Sequence, residues 1–309
     1  MKINHTLLAG SVLSMLLGAA MAQADSLTQY GGVGLNVGTD YPFAFDYDDG
    51  TAVEADYGMA GVLGFVYTKD QGLFNKPLEL AVEAGVLVGD DSHGHDLISD
   101  CSGGVSTYLG LISDCQDRAD VENLTYWLDA SAMIDFGAAG GNTDLLAGLG
   151  VLHFANKLDA DYLYPLGYEN FVDRDTSFTG AGLKMGARHR IAMQNGMTLN
   201  LAGFAGAYYG ERKLEISDSE TYLGTPGSDV RLTEKSNETV YSLELRPSIS
   251  MAADWAGADA TMEFGVSYKH FFNVVDETGY GDHSGDDAGG DFDGDVSALT
   301  AFFGVTIPM

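Results

Sequence analysis

Basic residues are scarce in this chain. Fifteen lysines and arginines stand against 45 aspartates and glutamates in 309 residues, a formal net charge of −30 at pH 7. A nucleic-acid binder needs a basic footprint for the phosphate backbone, so that class is excluded. Proline is also rare, at six residues, which leaves long stretches free to pair as sheet. Cysteine is limited to Cys101 and Cys115, with thirteen residues between them. Two cysteines exclude a disulfide-dense small fold. A zinc site needs further ligands at metal spacing, and His93 and His95 alone do not complete one. In an exported chain the pair reads as one local disulfide, worth about 3 kcal/mol for a loop of that size. Past residue 24 no run is long and apolar enough for a transmembrane helix, which takes about 20 residues.

Export itself is read from the first 24 residues. Lys2, an apolar run from Leu7 to Ala20, and small residues at Ala20, Ala22 and Ala24 form a secretory leader, with cleavage after Ala22 or Ala24. Residues 25–309 then form a single unit. Glycine is abundant in it, with 41 in the whole chain, which suits curved and closely packed sheets.

What fills the rest is alternation. Tyr241, Leu243, Leu245, Ile249 and Met251 alternate with Ser242, Glu244, Arg246, Ser248 and Ser250. Met262, Phe264, Val266 and Tyr268 alternate with Glu263, Gly265, Ser267 and Lys269. A strand turns successive side chains to opposite faces, so each segment has one apolar and one polar face. Ten such strands are predicted, at 28–39, 51–68, 78–90, 121–136, 143–157, 176–193, 197–213, 239–253, 258–275 and 296–308. The joints at 137–142, 194–196 and 254–257 are short, and 70–77 is only slightly longer. The joints at 91–120, 158–175, 214–238 and 276–295 are long. Short and long alternate without a break, as in an outer-membrane barrel with short periplasmic turns and long outer loops. The expectation is an all-β, ten-stranded antiparallel transmembrane barrel in the bacterial outer membrane, both termini periplasmic. Its last strand ends in Met309 rather than in the aromatic residue usual for such barrels.

In such a barrel the apolar face meets lipid and the other face lines the lumen. The lumen-lining set is then Glu54, Asp56, Glu79, Glu83, Asp129, Asp135, Lys184, Arg188, Arg190, Arg212, Glu244, Arg246, Glu263 and Lys269. Acids cluster on the second to fourth strands and bases on the sixth and seventh. Facing charges across a narrow interior can form a filling network or two walls of a polar channel, and ten strands leave only a little more room than eight. Both readings stand open on this pattern. His153, His189 and His270 fall on the outward phase near strand ends. Tyr162, Tyr164, Tyr168, Tyr208, Tyr209, Phe271 and Phe272 are expected in an aromatic girdle at the outer ends.

The last long joint holds eight acids. Asp291, Asp293 and Asp295 resemble the start of a calcium loop, but an EF-hand would need Gly and Glu where the chain has Val296 and Phe302. They remain a weak calcium candidate beside the simpler reading of a solvated acidic loop. Barrel hydrolases need a nucleophile and a histidine at one rim, and the loop histidines His93, His95 and His283 come with no G-x-S-x-G motif. An enzyme is not expected, and no cofactor is implied.

The runs LLAGLGVLHFANKL at 145–158, FTGAGLKMGARHRIAMQNGMTLNLAGFAGAYYGER at 178–212, and LELRPSISMAADW with MEFGVSYKHFFNVV within 243–275 resemble the Legionella-type major outer-membrane protein family. That resemblance implies an exported, pore-forming barrel with no catalytic residues, and it tilts the open choice toward a pore. The function expected is a narrow passive pore for small solutes or ions. The alternatives are a closed barrel presenting acidic loops for adhesion or surface protection, and a soluble periplasmic β protein. Expected partners are outer-membrane lipid, lipopolysaccharide and the barrel-assembly machinery. The sequence assigns no oligomeric state.

Overall fold

Strand alternation gives every segment a face to hide, and the chain hides it by closing a sheet on itself. The computed structural model describes residues 25–35, 44–46, 52–54, 57–70, 72–94, 104–106, 111–113, 118–137, 142–164, 168–255, 258–274 and 295–309. The barrel strands are β1 (Ser26–Leu35), β4 (Tyr57–Lys69), β5 (Leu78–Gly94), β8 (Arg118–Asp135), β9 (Thr143–Tyr164), β10 (Tyr168–Ala192), β11 (Met197–Tyr222), β12 (Thr225–Trp255), β13 (Ala258–Phe272) and β14 (Val296–Pro308). They form one closed antiparallel barrel of ten strands, each paired with its neighbour in the chain and β1 with β14. Two short hairpins stand apart from it, β2 (Ala44–Asp46) with β3 (Ala52–Glu54), and β6 (Gly104–Ser106) with β7 (Leu111–Ser113).

The barrel is apolar outside. Leu145, Leu149, Val151, Leu183, Met185, Leu201, Leu245, Phe264 and Val266 are all exposed on its outer surface. Two polar pairs bracket this belt on β9 and β10. His153 Nδ1 bonds Thr179 Oγ1 at 2.8 Å toward one end, and His189 Nδ1 bonds Thr143 Oγ1 at 2.9 Å toward the other. Between them the outward residues of β10 are Ala181, Leu183, Met185 and Ala187. Ten residues at about 3.3 Å each, tilted as barrel strands are, span about 25 Å of height, the thickness of an outer-membrane apolar band.

Above the upper pair the expected loops turn out to be strand. Residues 158–164 and 168–175 continue β9 and β10, and the 214–238 stretch continues β11 and β12 to a two-residue turn. Leu223 and Gly224 have φ of 49° and 73°, the left-handed pair of a tight hairpin. Strands of 22, 25, 26 and 31 residues far exceed the roughly ten that a membrane crossing takes. The excess forms a tall wall on one side of the barrel. Opposite it, β1, β4, β13 and β14 have only 10, 13, 15 and 13 residues. The alternation signal fails in the wall because neither face meets lipid there.

Glu54 also departs from expectation. It lies on the short β3, paired with Ala44, and not on a barrel strand; β4 starts at Tyr57, beside a bulge between Tyr57 and Met59. Asp56, Cys101, Cys115, Asp291, Asp293 and the leader lie outside the described residues.

The outer face yields a direct test of height. Leu183→Arg should lower the folded yield by about 2–4 kcal/mol of stability, because it sets a charge at mid-belt. Thr233→Arg, on the same outward face but in the wall, should stay within about 0.5 kcal/mol of wild type. Folded fractions on unheated denaturing gels measure both, and equal losses would contradict the belt's position.

Candidate functional site

Strand phase turns Glu79 and Glu83 of β5, Asp129 of β8, Lys184 and Arg188 of β10, Glu244 and Arg246 of β12, and Lys269 of β13 into the interior. Within this layer six of the eight interlock through ion pairs, and Arg188 with Glu79 forms a separate pair beside them. Lys269 Nζ lies 2.6 Å from Glu83 Oε1 and 3.0 Å from Asp129 Oδ2, bridging two carboxylates. Lys184 reaches Asp129 at 2.7 Å. Arg246 pairs with Glu83 at 3.1 Å and with Glu244 at 2.5 Å. Arg188 grips Glu79 with two parallel hydrogen bonds of 2.5 and 2.6 Å. Four cations thus meet four anions, and the layer is neutral as a whole.

Neutral donors complete it. The Tyr30 hydroxyl donates to Glu83 at 2.7 Å, Trp127 Nε1 donates to Glu83 at 3.3 Å, and the Tyr208 hydroxyl donates to Asp129 at 3.3 Å. These bonds offset much of the cost of burying charge, with Arg246 Nε left without a hydrogen-bond partner. Aromatic faces take up the cations as well. The Arg246 guanidinium lies 4.3 Å from the Tyr30 ring centre, and that of Arg188 5.5 Å from Phe204. The cavity left at the layer is about 30 Å³, room for a few water molecules at most.

An apolar layer adjoins the charges within the barrel. Leu87, Trp127, Leu152, Phe154, Phe178, Tyr208, Val240 and Phe271 pack together there, each 3% exposed or less. Trp127 and Phe154 both meet Phe271, with ring centres 5.6 and 5.7 Å apart. Glycines opposite the rings make this possible. A Cβ on Gly85 would stand 1.9 Å from the Trp127 ring, and one on Gly64 would stand 2.1 Å from Tyr30.

The expected lumen residues therefore divide. Glu79, Glu83, Asp129, Lys184, Arg188, Glu244, Arg246 and Lys269 come together. Arg190 pairs with Asp144 nearer the tight-turn end, where Asp135 accepts the Gly137 N–H at 2.7 Å. Glu263 accepts the Ser248 hydroxyl. Arg212 lies farther along, 3.4 Å from Glu238. The acidic and basic walls do not face each other across open space, because Arg246 and Lys269 carry positive charge into the acidic side. Two aromatics assigned to the girdle are corrected: Tyr208 and Phe271 share the inward phase of Arg212 and Lys269 and belong to the interior. Tyr209 and Phe272 are exposed on the outside, as expected. Asp295 accepts the Asn273 N–H at 2.9 Å and lies 3.2 Å from His270 Nε2, so it ties β13 to β14. Among the described residues no group of three acids, histidines or cysteines is placed to hold a metal ion.

The outer face of the wall has the opposite character. Asp120 pairs with Asp161, and Glu122 and Asp173 both flank Asp159, in cross-strand register. Like charges so opposed repel. Partial burial, then the neighbouring carboxylates, push the Asp161 and Asp173 carboxyls above the usual range.

No protein-family model matches the chain, and no curated protein sequence matches it either. Solved structures do. The outer membrane protease OmpT from Escherichia coli is 11% identical, with 93% of this chain and 97% of that one covered at a TM-score of 0.43. The translocator domain of the autotransporter NalP from Neisseria meningitidis is 11% identical over 98% and 97%, at 0.38. A major outer membrane protein from Thermus thermophilus is 14% identical over 92% and 99%, at 0.33. Likeness at this level adds nothing to the barrel architecture already described.

Two outcomes follow from these charges. Arg188→Met should destabilise by about 3–5 kcal/mol, since it strands the buried Glu79. Arg188→Met with Glu79→Leu should recover most of that loss, as read from denaturant unfolding in detergent. Outside, carboxyls raised in the folded wall favour it when protonated. That contribution is present below their unfolded value of about 4 and is lost as pH rises through the raised folded value. Proteolytic nicking of the wall should be slower near pH 4 than near pH 7, and Asp161→Asn/Asp173→Asn should flatten the difference.

Proposed function

We propose that this protein is an outer-membrane barrel closed to solutes, which holds an acidic β-wall above the cell surface for adhesion or surface protection. The observation that carries this reading is the interior. A self-neutralised charge layer and an aromatic layer occupy the barrel together, leaving a cavity of about 30 Å³ at the charges. Pores select ions by rings of unpaired charge around water, and here each lumen charge of the layer is bonded to its opposite. The same packing counts against the passive pore that the family resemblance implies.

The membrane placement rests on the exposed apolar belt and its polar brackets. Both described chain ends lie with the tight turns, where the Met309 N–H donates to the Asp25 carbonyl at 3.0 Å. With that end in the periplasm, the wall of β9 to β12 stands outside the cell.

Purified protein that migrates as a folded barrel should give no channel steps in a planar bilayer; regular steps would overturn the closed reading. Orientation is read separately, with Cys101→Ser and Cys115→Ser as background. Leu223→Cys should label on intact cells and Asn195→Cys should not, and the reverse pattern would turn the barrel over.

A further inference from the structure

Nine of the ten pairings in the barrel join strands that are neighbours in the chain, and one does not. The β1·β14 seam brings Ser26 opposite Pro308 through a ladder of ten residue pairs. It closes last in entropic terms, because its partners are farthest apart in sequence. Its inward face is poor in side-chain contact. Of the five pairs on the inward phase, Ser26 faces Pro308 at the end of the ladder, Tyr30 faces Gly304, Gly32 faces Phe302 and Gly34 faces Thr300; Thr28 and Thr306 meet directly, Oγ1 to Oγ1 at 2.8 Å. The β1 glycines cannot be filled, since a Cβ on Gly32 would lie 2.7 Å from the Ala301 carbonyl oxygen and one on Gly34 1.8 Å from that of Leu299.

A third strand supplies what the seam lacks. Arg246 reaches from β12, two strands away, to both sides of the seam. Its guanidinium lies 4.3 Å from the ring centre of Tyr30 on β1 and 5.4 Å from that of Phe302 on β14. Those two rings meet edge to face at 6.0 Å. Arg246 Nη2 also donates to the Tyr30 hydroxyl at 3.0 Å and pairs with Glu83 of β5 at 3.1 Å. Tyr30 in turn donates to Glu83. We propose that Arg246, stacked on Tyr30 and Phe302, is the latch of the terminal seam, so that sealing the barrel wall and filling its interior are one event. Until β1 meets β14, Tyr30 stays with Glu83 on the β1–β4–β5 side and Phe302 with Arg246 on the β12–β13–β14 side, so the two stacking faces are apart. Lysine cannot replace the flat guanidinium in this place, because it offers a point charge and no stacking plane. The latch deepens the closed-barrel reading by assigning what holds the closure.

The seam position of the effect separates a latch from any other buried ion pair. Thr28→Cys/Thr306→Cys in the Cys101→Ser/Cys115→Ser background ties the seam covalently. The readout is the rate at which the folded band converts to the unfolded band in hot detergent. Without the crosslink, Arg246→Lys should speed conversion about tenfold. With it, the ratio of Arg246→Lys to its crosslinked parent should fall to about two or less, since the bond now does what the latch did. Arg188→Lys, whose pair with Glu79 touches neither seam strand, should keep its ratio in both backgrounds. Tyr30→Phe removes the hydroxyl and keeps the ring, and stands in if Arg246→Lys does not assemble. An Arg246 ratio that survives the crosslink overturns the latch, as does an Arg188 ratio that collapses with it. Channel steps from wild type would end the closed reading without touching this comparison, because band conversion does not depend on conduction.

Discussion

Glu83 and Asp129 are carboxylates buried in the barrel interior, and Lys269 between them is the contact on which the rest of the interior depends. A buried anion without a partner costs several kcal/mol. Two anions beside each other cost more, unless a cation sits within bonding distance of both. Lys269 does so from β13, while its carboxylates come from β5 and β8. None of these strands adjoins the other side of the barrel in sequence, so the pairing exists only when the sheet has rolled up. Glycines such as Gly64 and Gly85 then let the aromatic rings lie flat against the wall, and the rings keep water from the charges. Lower polarity around the layer strengthens each ion pair and raises the cost of losing one.

Much of this was legible beforehand. Period-two alternation marked ten strands, and the run 296–308 matches β14 at both ends. Glu79, Glu83, Asp129, Lys184, Arg188, Glu244, Arg246 and Lys269 lie on the face that the alternation marks as charged. Whether those charges interlock was not legible, because reach across a barrel is a property of two distant strands and leaves no trace within either. One signal was available. The inward phase that carries the charges also carries glycine and large aromatics in alternation: Gly85 with Leu87, Gly206 with Tyr208, Tyr30 with Gly32. A water-filled lumen has no use for inward Trp127, Phe154 and Phe178. Reading Tyr208 and Phe271 by phase rather than by nearness to a strand end would have placed them inside.

The wall was hidden for a different reason. Lipid imposes alternation, and above the lipid nothing does. Asp173, Asp175, Glu215 and Arg231 are strand residues whose sequence reads as loop, because their outward face meets water while Leu158, Val172, Leu214 and Ile216 are buried on the inward one, mixed with Arg174 and Asp218. Backbone pairing with an already ordered neighbour carries β9 to β12 upward from the membrane. Each strand is extended by the one beside it, and the hairpin at Leu223 and Gly224 ends the growth.

The scarcity of basic residues acquires a cause in this arrangement. Of the fifteen lysines and arginines, seven share the inward phase: Arg174, Lys184, Arg188, Arg190, Arg212, Arg246 and Lys269. Six of these serve the interior, since Arg190 is more than half exposed at the tight-turn end. The outer face then sets acids against acids, as at Glu122, Asp159 and Asp173, at cross-strand separations shorter than the roughly 8 Å over which salt screens, and this repulsion adds to burial in raising the Asp173 carboxyl. The two electrostatic regimes of the molecule are therefore linked. Inside, low polarity enforces one-to-one pairing; outside, high polarity tolerates a surplus of one sign. Four further bases, Lys157, Lys213, Arg231 and Lys235, stand on the outer face of the wall in solvent-facing pairs with Asp175, Glu215, Asp229 and Glu211, and the acids that outnumber them give the exterior its negative charge.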